Sequence, residues 1–410
     1  MQQVLQGISA LKTALEGSRR VLLVCDGSWS FLNIGPSVEA AIGGIDANFL
    51  RFSDFASNPQ YESVRKGIEV FNSGGCDTIV AVGGGSSIDV AKCIKLFCRM
   101  SPGKLFFEQP YSDTGIKLIA IPTTAGTGSE STRYAVIYYD GAKQSITHSS
   151  IVPDFAVLEP SVLGSLPVYQ KKCTMMDALC QGIESWWSVN ATDESREYSR
   201  KAIETIMTNW EEYIFGAAAG QAAGSSAAAI MLAANYAGRA INITQTTAPH
   251  AFSYKLTSLL GLPHGHAVAL CLPEIWKFML DSVSFRPSGG ISLMAVFTDI
   301  ANAMGAETPE SAITLFRSLM SQMELGPFSR IYPLKESPFP DRIYPPKGLK
   351  VRVHARLEDI SCQEKNALID TLASSVNPIR LANNPIPITT IQAREIYARI
   401  LEKSLPDRAK

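Results

Sequence analysis

Short apolar runs rich in β-branched residues punctuate the first 160 positions of the chain: VLLVCD (Val21 to Asp26), DTIVAVGGG (Asp77 to Gly85) and KLIAIPTT (Lys117 to Thr124). Helix-like stretches separate them. This alternation predicts parallel strands joined by crossover helices, with loops at the carboxyl ends of the strands available to a nucleotide. From about Pro167 the pattern changes to long helical periodicity, as in MMDALCQGIESWWS, GSSAAAIMLAANYAGRAINI and GISLMAVFTDIANAMG, with no comparable strand run. The expected organisation is an α/β, Rossmann-like dinucleotide-binding domain over 1–162 and an all-α domain over 163–410. Six prolines between Gly326 and Lys350 (327, 333, 338, 340, 345 and 346) exclude a helix interior there and predict an exposed loop. No internal repeat or low-complexity tract is evident.

A chain of 410 residues exceeds one ordinary hydrophobic core, which agrees with two domains. Lys and Arg number 37 against 38 Asp and Glu, so the chain has no electrostatic footprint for nucleic acid or an anionic membrane. Small molecules, or a second copy of the chain, are the expected partners. The first twenty residues lack the apolar core of a signal peptide, and no stretch reaches about 18 uninterrupted apolar residues, so a soluble, cytoplasmic protein is expected. Eight cysteines are scattered without a CxxC pair, as reduced thiols buried like small hydrophobes would be.

Gly83, Gly84 and Gly85 follow one strand-like run directly and precede the helix-like IDVAKCIKLF. Glycines let a backbone approach a pyrophosphate, and the amides and dipole of a helix N-terminus favour its charge. The plainer reading is an ordinary strand-to-helix turn. A second polar loop, Thr123 to Glu130 (TTAGTGSE), follows the next strand, and two such loops on neighbouring strands favour a cradle for phosphate and nicotinamide. Asp26 ends the first clear strand, where a carboxylate accepts from ribose hydroxyls and repels a 2'-phosphate, or simply caps a turn.

Only five histidines occur, and three of them (His250, His264, His266) fall within seventeen residues. Such a cluster points to a metal or proton-transfer site; His148 and His354 read as structural. Upstream, Asp177 and Gln181 stand at i and i+4 and share a helix face. With His250 and His264 they form a possible set of oxygen and imidazole ligands for a divalent ion, although Asp and Gln on a helix are more often just its polar face.

GGGSSIDVAK, IPTTAGTGSE, MMDALCQGIE, APHAFSY and LPHGHAVAL together resemble the iron-containing alcohol dehydrogenases over most of the chain. The resemblance implies the fold shared with dehydroquinate synthase and an NAD(H)-dependent dehydrogenase that forms a homodimer. It implies Gly84, Gly85, Ser86 and Asp89 on the pyrophosphate side, Thr123, Thr124 and Thr127 towards the nicotinamide, Lys143 touching the cofactor, and Asp26 disfavouring NADP. Asp177, His250 and His264 match its metal ligands. Two positions depart from the family pattern: Gln181 stands where a histidine ligand is usual, and Tyr254 replaces a further histidine near the substrate. Amide oxygen ligates more weakly than imidazole; Fe2+ or Zn2+ is the expected ion.

KKCTMMDALCQGIESWWSVN, GRAINITQTTAPHAFSYKLTSLLGLPHGHAVALCLP and NPIRLANNPI resemble the branch of that family acting on phosphonoacetaldehyde. The implied reaction is reduction of an aldehyde carrying a phosphonate, with the cation as Lewis acid and the nicotinamide as hydride donor. His266 and Tyr254 are the candidates for proton relay. Arg133 and Lys255, with the hydroxyls of Thr246 and Thr247, are the candidates to bind a phosphonate dianion. A general primary-alcohol or diol dehydrogenase, a lyase resembling dehydroquinate synthase and a non-catalytic nucleotide-binding protein are the competing readings.

Overall fold

A computed structural model describes residues 2–216, 223–283, 292–326 and 362–402. The proline-rich stretch 327–350 lies outside them. By density of contact the chain divides into two compact units, Met1–Lys171 with Thr208–Asn242, and Lys172–Met207 with Ile243–Lys410. By this division the segment 208–242 falls with the first unit, whereas the sequence reading places one boundary between 162 and 163.

In the first unit, β1 (Gln3–Gln6), β2 (Val21–Cys25), β3 (Leu50–Phe52), β4 (Thr78–Gly83), β5 (Lys117–Pro122) and β8 (Phe155–Leu158) form one sheet of order β1-β8-β5-β4-β2-β3. Every pairing within it is parallel. Helices α1 (Leu11–Ala14), α2 (Gly35–Gly43), α3 (Tyr61–Ser73) and α4 (Gly85–Phe97) connect the early strands. β2, β4 and β5 are buried along almost their whole length, which is why they read as continuous apolar runs rather than alternating ones. The order reverses between β2 and β4, so the loops carrying Asp26 and the glycines open at the point where such sheets bind ligands.

A small antiparallel hairpin of β6 (Tyr134–Tyr139) and β7 (Ala142–Thr147) interrupts the α/β pattern. It turns at Asp140 and Gly141, both at positive φ (48° and 73°), as a two-residue primed turn requires.

The remaining helices are α5 (Val168–Trp187), α6 (Asp193–Phe215), α7 (Ala223–Thr244), α8 (Ala248–Leu260), α9 (His264–Val283), α10 (Leu293–Ala303), α11 (Pro309–Gln322), α12 (Cys362–Ser374), α13 (Pro378–Leu381) and α14 (Thr390–Glu402). α7 joins the first unit by backbone contact: a Cβ added at Gly238 would lie 2.6 Å from the carbonyl oxygen of Gly128. In the second unit Trp187, Trp276 and Phe297 pack edge to face, and Phe252 stacks on Tyr397 at 4.8 Å. Burying each such side chain contributes roughly 1.5–3 kcal/mol. Seven cysteines are buried free thiols and Cys362 is exposed. No described helix is long and apolar enough to cross a membrane.

Candidate cofactor loops and metal centre

In the first unit, β4 ends at Gly83 with φ 150°, where a Cβ would lie 2.2 Å from Ser87 Oγ. Only glycine lets the chain pass from strand into α4 with Ser87 tucked beneath it. Pairing of β4 with β5 sets the two polar loops side by side, and Thr123 N donates to Gly83 O at 3.0 Å. Gly84 then faces Thr124, and Gly85 meets Thr127 so closely that a Cβ would be 3.2 Å from its methyl. Gly84 caps α4 without a side chain, leaving the helix N-terminus suited to an anion.

The expected cofactor residues take distinct places around this junction. Asp26 Oδ1 accepts from Ser28 N at 2.8 Å, and Oδ2 accepts from Ser87 Oγ at 3.0 Å. The carboxylate thus caps a turn and braces the glycine loop. Asp89 faces inward: Oδ1 accepts from Ser129 Oγ at 2.7 Å and Oδ2 from Val136 N at 3.0 Å, tying α4 to the second loop and the hairpin. Burial raises the Asp89 pKa, and Lys143, exposed on β7, is among the charges that oppose the rise.

Sequence reasoning missed Lys92. Its ammonium, fully buried, donates to Ser129 Oγ (3.1 Å), Thr132 Oγ1 (3.0 Å) and Tyr134 O (2.7 Å). Burial depresses its pKa to about 8 against the opposing pull of Asp89 and Glu130. Burial raises both carboxyls, while Asn235 Nδ2 donates to Glu130 Oε1 at 3.1 Å. The second loop is therefore pinned from beneath by a buried charged network.

In the second unit, α5 presents Asp177, Gln181 and Glu184 at i, i+4 and i+7, one face of the helix. His250 lies in the first turn of α8, and His264 opens α9 after Gly261 ends α8 at φ 71°. Gly265 explains the glycine after His264: a Cβ there would be 2.0 Å from Cys173 O, so α9 begins against the α5 backbone. His250 Nε2 is 3.3 Å from Asp177 Oδ1, and His264 Nε2 is 3.9 Å from the same oxygen. One ligand atom from each of the three lies within 4.8 Å of the others.

Glu184, also missed, is completely buried. Its Oε1 accepts from His250 Nδ1, and its Oε2 accepts from Thr247 N (2.8 Å) and Thr247 Oγ1 (2.9 Å). With Nδ1 held by Glu184, the Nε2 side of the ring faces Asp177. Burial opposes charge on His250, but Glu184 and Asp177 outweigh it and raise its pKa to about 10. Burial likewise opposes the Asp177 carboxylate, yet the two histidines and the Gln181 amide hold its pKa down.

This donor set fits a divalent cation. Asp177 Oδ1 is a buried carboxylate oxygen with no hydrogen-bond partner in place, a costly state unless a cation satisfies it. Ligands of a tetrahedral ion with bonds of about 2.1 Å lie roughly 3.4 Å apart, close to the 3.3 Å between Asp177 Oδ1 and His250 Nε2.

Tyr254 stacks on His264 with centroids 6.0 Å apart and planes at 7°, so it borders the cluster. His266 is buried beside the backbone of Leu325 and Gly326; burial lowers its pKa against those contacts. Lys255 is half-buried next to Tyr254 on α8. Arg133 belongs to the first unit, where its guanidinium lies over the Tyr134 ring and Nε donates to the Tyr134 hydroxyl at 3.2 Å.

Residues 2–160 match the family described as iron-containing alcohol dehydrogenase, and residues 172–336 match the C-terminal region of the Fe-containing alcohol dehydrogenase family. The chain is 34% identical to a phosphonoacetaldehyde reductase of Streptomyces viridochromogenes over 49% of its own length and 53% of the relative. It thus spans about half the length of the first curated relatives it matches. It is 30% identical to a 1,3-propanediol dehydrogenase of Citrobacter freundii over 80% of its length and 84% of the relative. The fold is similar to a crystal structure of sulfoacetaldehyde reductase from Bifidobacterium kashiwanohense in complex with NAD+, with TM-score 0.77, 22% identity and coverage of 98% and 97%.

Proposed function

The chain belongs to the iron-containing alcohol dehydrogenase family, and we propose that it reduces phosphonoacetaldehyde to 2-hydroxyethylphosphonate with NADH and a divalent cation, Fe2+ or Zn2+. The observation that carries the reading is the Asp177, His250 and His264 cluster, in which Asp177 Oδ1 is buried and unsatisfied. The 34% identity to a phosphonoacetaldehyde reductase supports the substrate.

Asp177, Gln181, His250 and His264 would hold the cation. When bound, the cation contributes Lewis acidity at a carbonyl oxygen and the nicotinamide contributes the hydride. Gly84, Gly85 and Ser86 bind the pyrophosphate at the start of α4, and Thr123, Thr124 and Thr127 line the nicotinamide side. Asp26 favours NAD over NADP because its carboxylate repels a 2'-phosphate. Glu184 fixes the tautomer of His250. The alkoxide formed at the carbonyl oxygen takes a proton from Tyr254 or His266, and Lys255 and Arg133 offer positive charge to the phosphonate.

A second reading, a general primary-alcohol or diol dehydrogenase, is favoured by the 1,3-propanediol dehydrogenase match over 80% of the chain. NADH oxidation by purified protein loaded with Fe2+ or Zn2+ separates them. Strong preference for phosphonoacetaldehyde over propionaldehyde supports the first reading; equal turnover supports the second.

A further inference from the structure

Two elements of the first unit hold the Asp26 carboxylate, one on each oxygen. Oδ1 accepts from Ser28 N at 2.8 Å and from Ser28 Oγ at 2.5 Å, within the turn that opens the 3-10 helix Gly27–Phe31. Oδ2 accepts from Ser87 Oγ at 3.0 Å, from a residue 61 positions further along the chain. Ser87 sits in the first turn of α4 and is completely buried. A hydroxyl has one proton to donate, and Ser87 directs it to the carboxylate.

This contact exists because residue 83 is glycine. Pairing of β2 with β4 sets Cys25 beside Val82, so Asp26 and Gly83 leave the sheet side by side. A Cβ at Gly83 would lie 2.2 Å from Ser87 Oγ, 2.6 Å from Ser87 Cβ and 3.5 Å from Asp26 Oδ2. The bare Cα leaves the space through which the serine reaches the aspartate.

The Ser28 turn anchors one oxygen but does not fix the plane of the carboxylate, because the last torsion of an aspartate is broad. The contact from α4 fixes it. A carboxylate offers about four acceptor sites; Oδ1 takes two donors and Oδ2 one. The remaining site belongs to Oδ2, the oxygen that Ser87 orients, and Asp26 is only half-buried.

We propose that Ser87 is a positioning residue for nucleotide selection: its hydroxyl holds Asp26 Oδ2 where it accepts from a ribose hydroxyl and opposes a 2'-phosphate. Preference for NADH over NADPH then belongs to the Ser87–Asp26 pair rather than to Asp26 alone. The inference rests on the reading that Asp26 discriminates between the two nucleotides.

The test is binding of NADH and NADPH to the full-length, metal-loaded protein without aldehyde, followed by nucleotide fluorescence. Wild type is compared with Ser87→Ala, Ser87→Cys, Asp26→Ala and the double variant Ser87→Ala/Asp26→Ala. Ser87→Ala is expected to raise Kd for NADH by about 3- to 10-fold and to leave Kd for NADPH within about twofold. Ser87→Cys keeps a side chain of similar shape with only a weak donor, so it follows Ser87→Ala. In the Asp26→Ala background the loss of Ser87 changes neither constant, because residues that act through one contact are not additive. Equal weakening of NADH and NADPH by Ser87→Ala would overturn the proposal and leave Ser87 as packing beneath the glycine loop. A wild-type preference retained in Ser87→Ala or Ser87→Cys would overturn it too, as would an effect of Ser87→Ala undiminished once Asp26 is gone. A wild type that does not prefer NADH, or a preference unaltered in Asp26→Ala alone, would instead reject the reading of Asp26, and the proposal with it.

Discussion

Glu184 and His250 share a buried carboxylate–imidazole hydrogen bond, and the second oxygen of Glu184 is occupied by the backbone and hydroxyl of Thr247. The carboxylate therefore sets which nitrogen of His250 faces Asp177. Partners of this kind commonly change metal affinity by 10–100-fold when removed. Glu184→Ala is expected to weaken Zn2+ binding by about that factor, measured by competition with a chromogenic chelator, with NADH binding unchanged. Unaltered Zn2+ affinity would show that Glu184 only fills space.

As a proposed ligand, Gln181 would contribute an amide oxygen where an imidazole would bind more strongly. Gln181→His should slow the loss of metal to EDTA, and Gln181→Leu should hasten it, as followed by elemental analysis of dialysed protein. Identical loss from all three would place residue 181 outside the coordination sphere.

Gly265 allows the start of α9 to touch Cys173 O, the contact that brings His264 beside Asp177. A Cβ at 2.0 Å from a backbone oxygen cannot be relieved by a rotamer change. Gly265→Ala is expected to cost about 1–3 kcal/mol, read from the denaturant midpoint, and to reduce metal content. A folded variant of full stability with normal metal content would refute the close packing.

Lys92 is buried, its ammonium held by Ser129, Thr132 and Tyr134 and drawn by the charges of Asp89 and Glu130, and removing the cation from such a network costs about 3–5 kcal/mol. Lys92→Met should lower the melting temperature accordingly. The pH dependence has a definite sign. The folded pKa, about 8, lies below the ordinary 10.5, so between these values the unfolded state binds more protons and this residue makes stability rise with pH. Melting temperature should therefore have a more positive pH slope over that window in the wild type than in Lys92→Met; equal slopes would contradict the buried network.

The glycine and hydroxyl loops were legible because a strand that ends in Gly83-Gly84-Gly85 and one that ends in Thr123-Thr124 announce themselves locally, whereas the grouping of Asp177 with His250 and His264 was pointed to by the resemblance more than by spacing. Glu184 carried a fainter signal: it continues the face of Asp177 and Gln181, but a carboxylate at i+7 looks like ordinary helix surface until Thr247 is seen to occupy it. Lys92 was hidden for the same reason, since a lysine on an amphipathic helix reads as solvated charge. The hairpin at Asp140-Gly141 did have a signal, a primed-turn dipeptide between alternating residues. The contact of Gly238 with Gly128 joins residues far apart in sequence, and no local pattern encodes it.

Asp177, Gln181, His250 and His264 are proposed to hold the cation on which reduction depends. Bound metal per chain and NADH oxidation, measured together in wild-type protein and Asp177→Asn before EDTA treatment, after it, and after restoring Fe2+ or Zn2+, test this. About one equivalent is expected in the wild type, with activity that is lost and regained with the ion, and neither metal nor activity in Asp177→Asn. Full activity in metal-free wild type, or normal metal retention by Asp177→Asn, would contradict it.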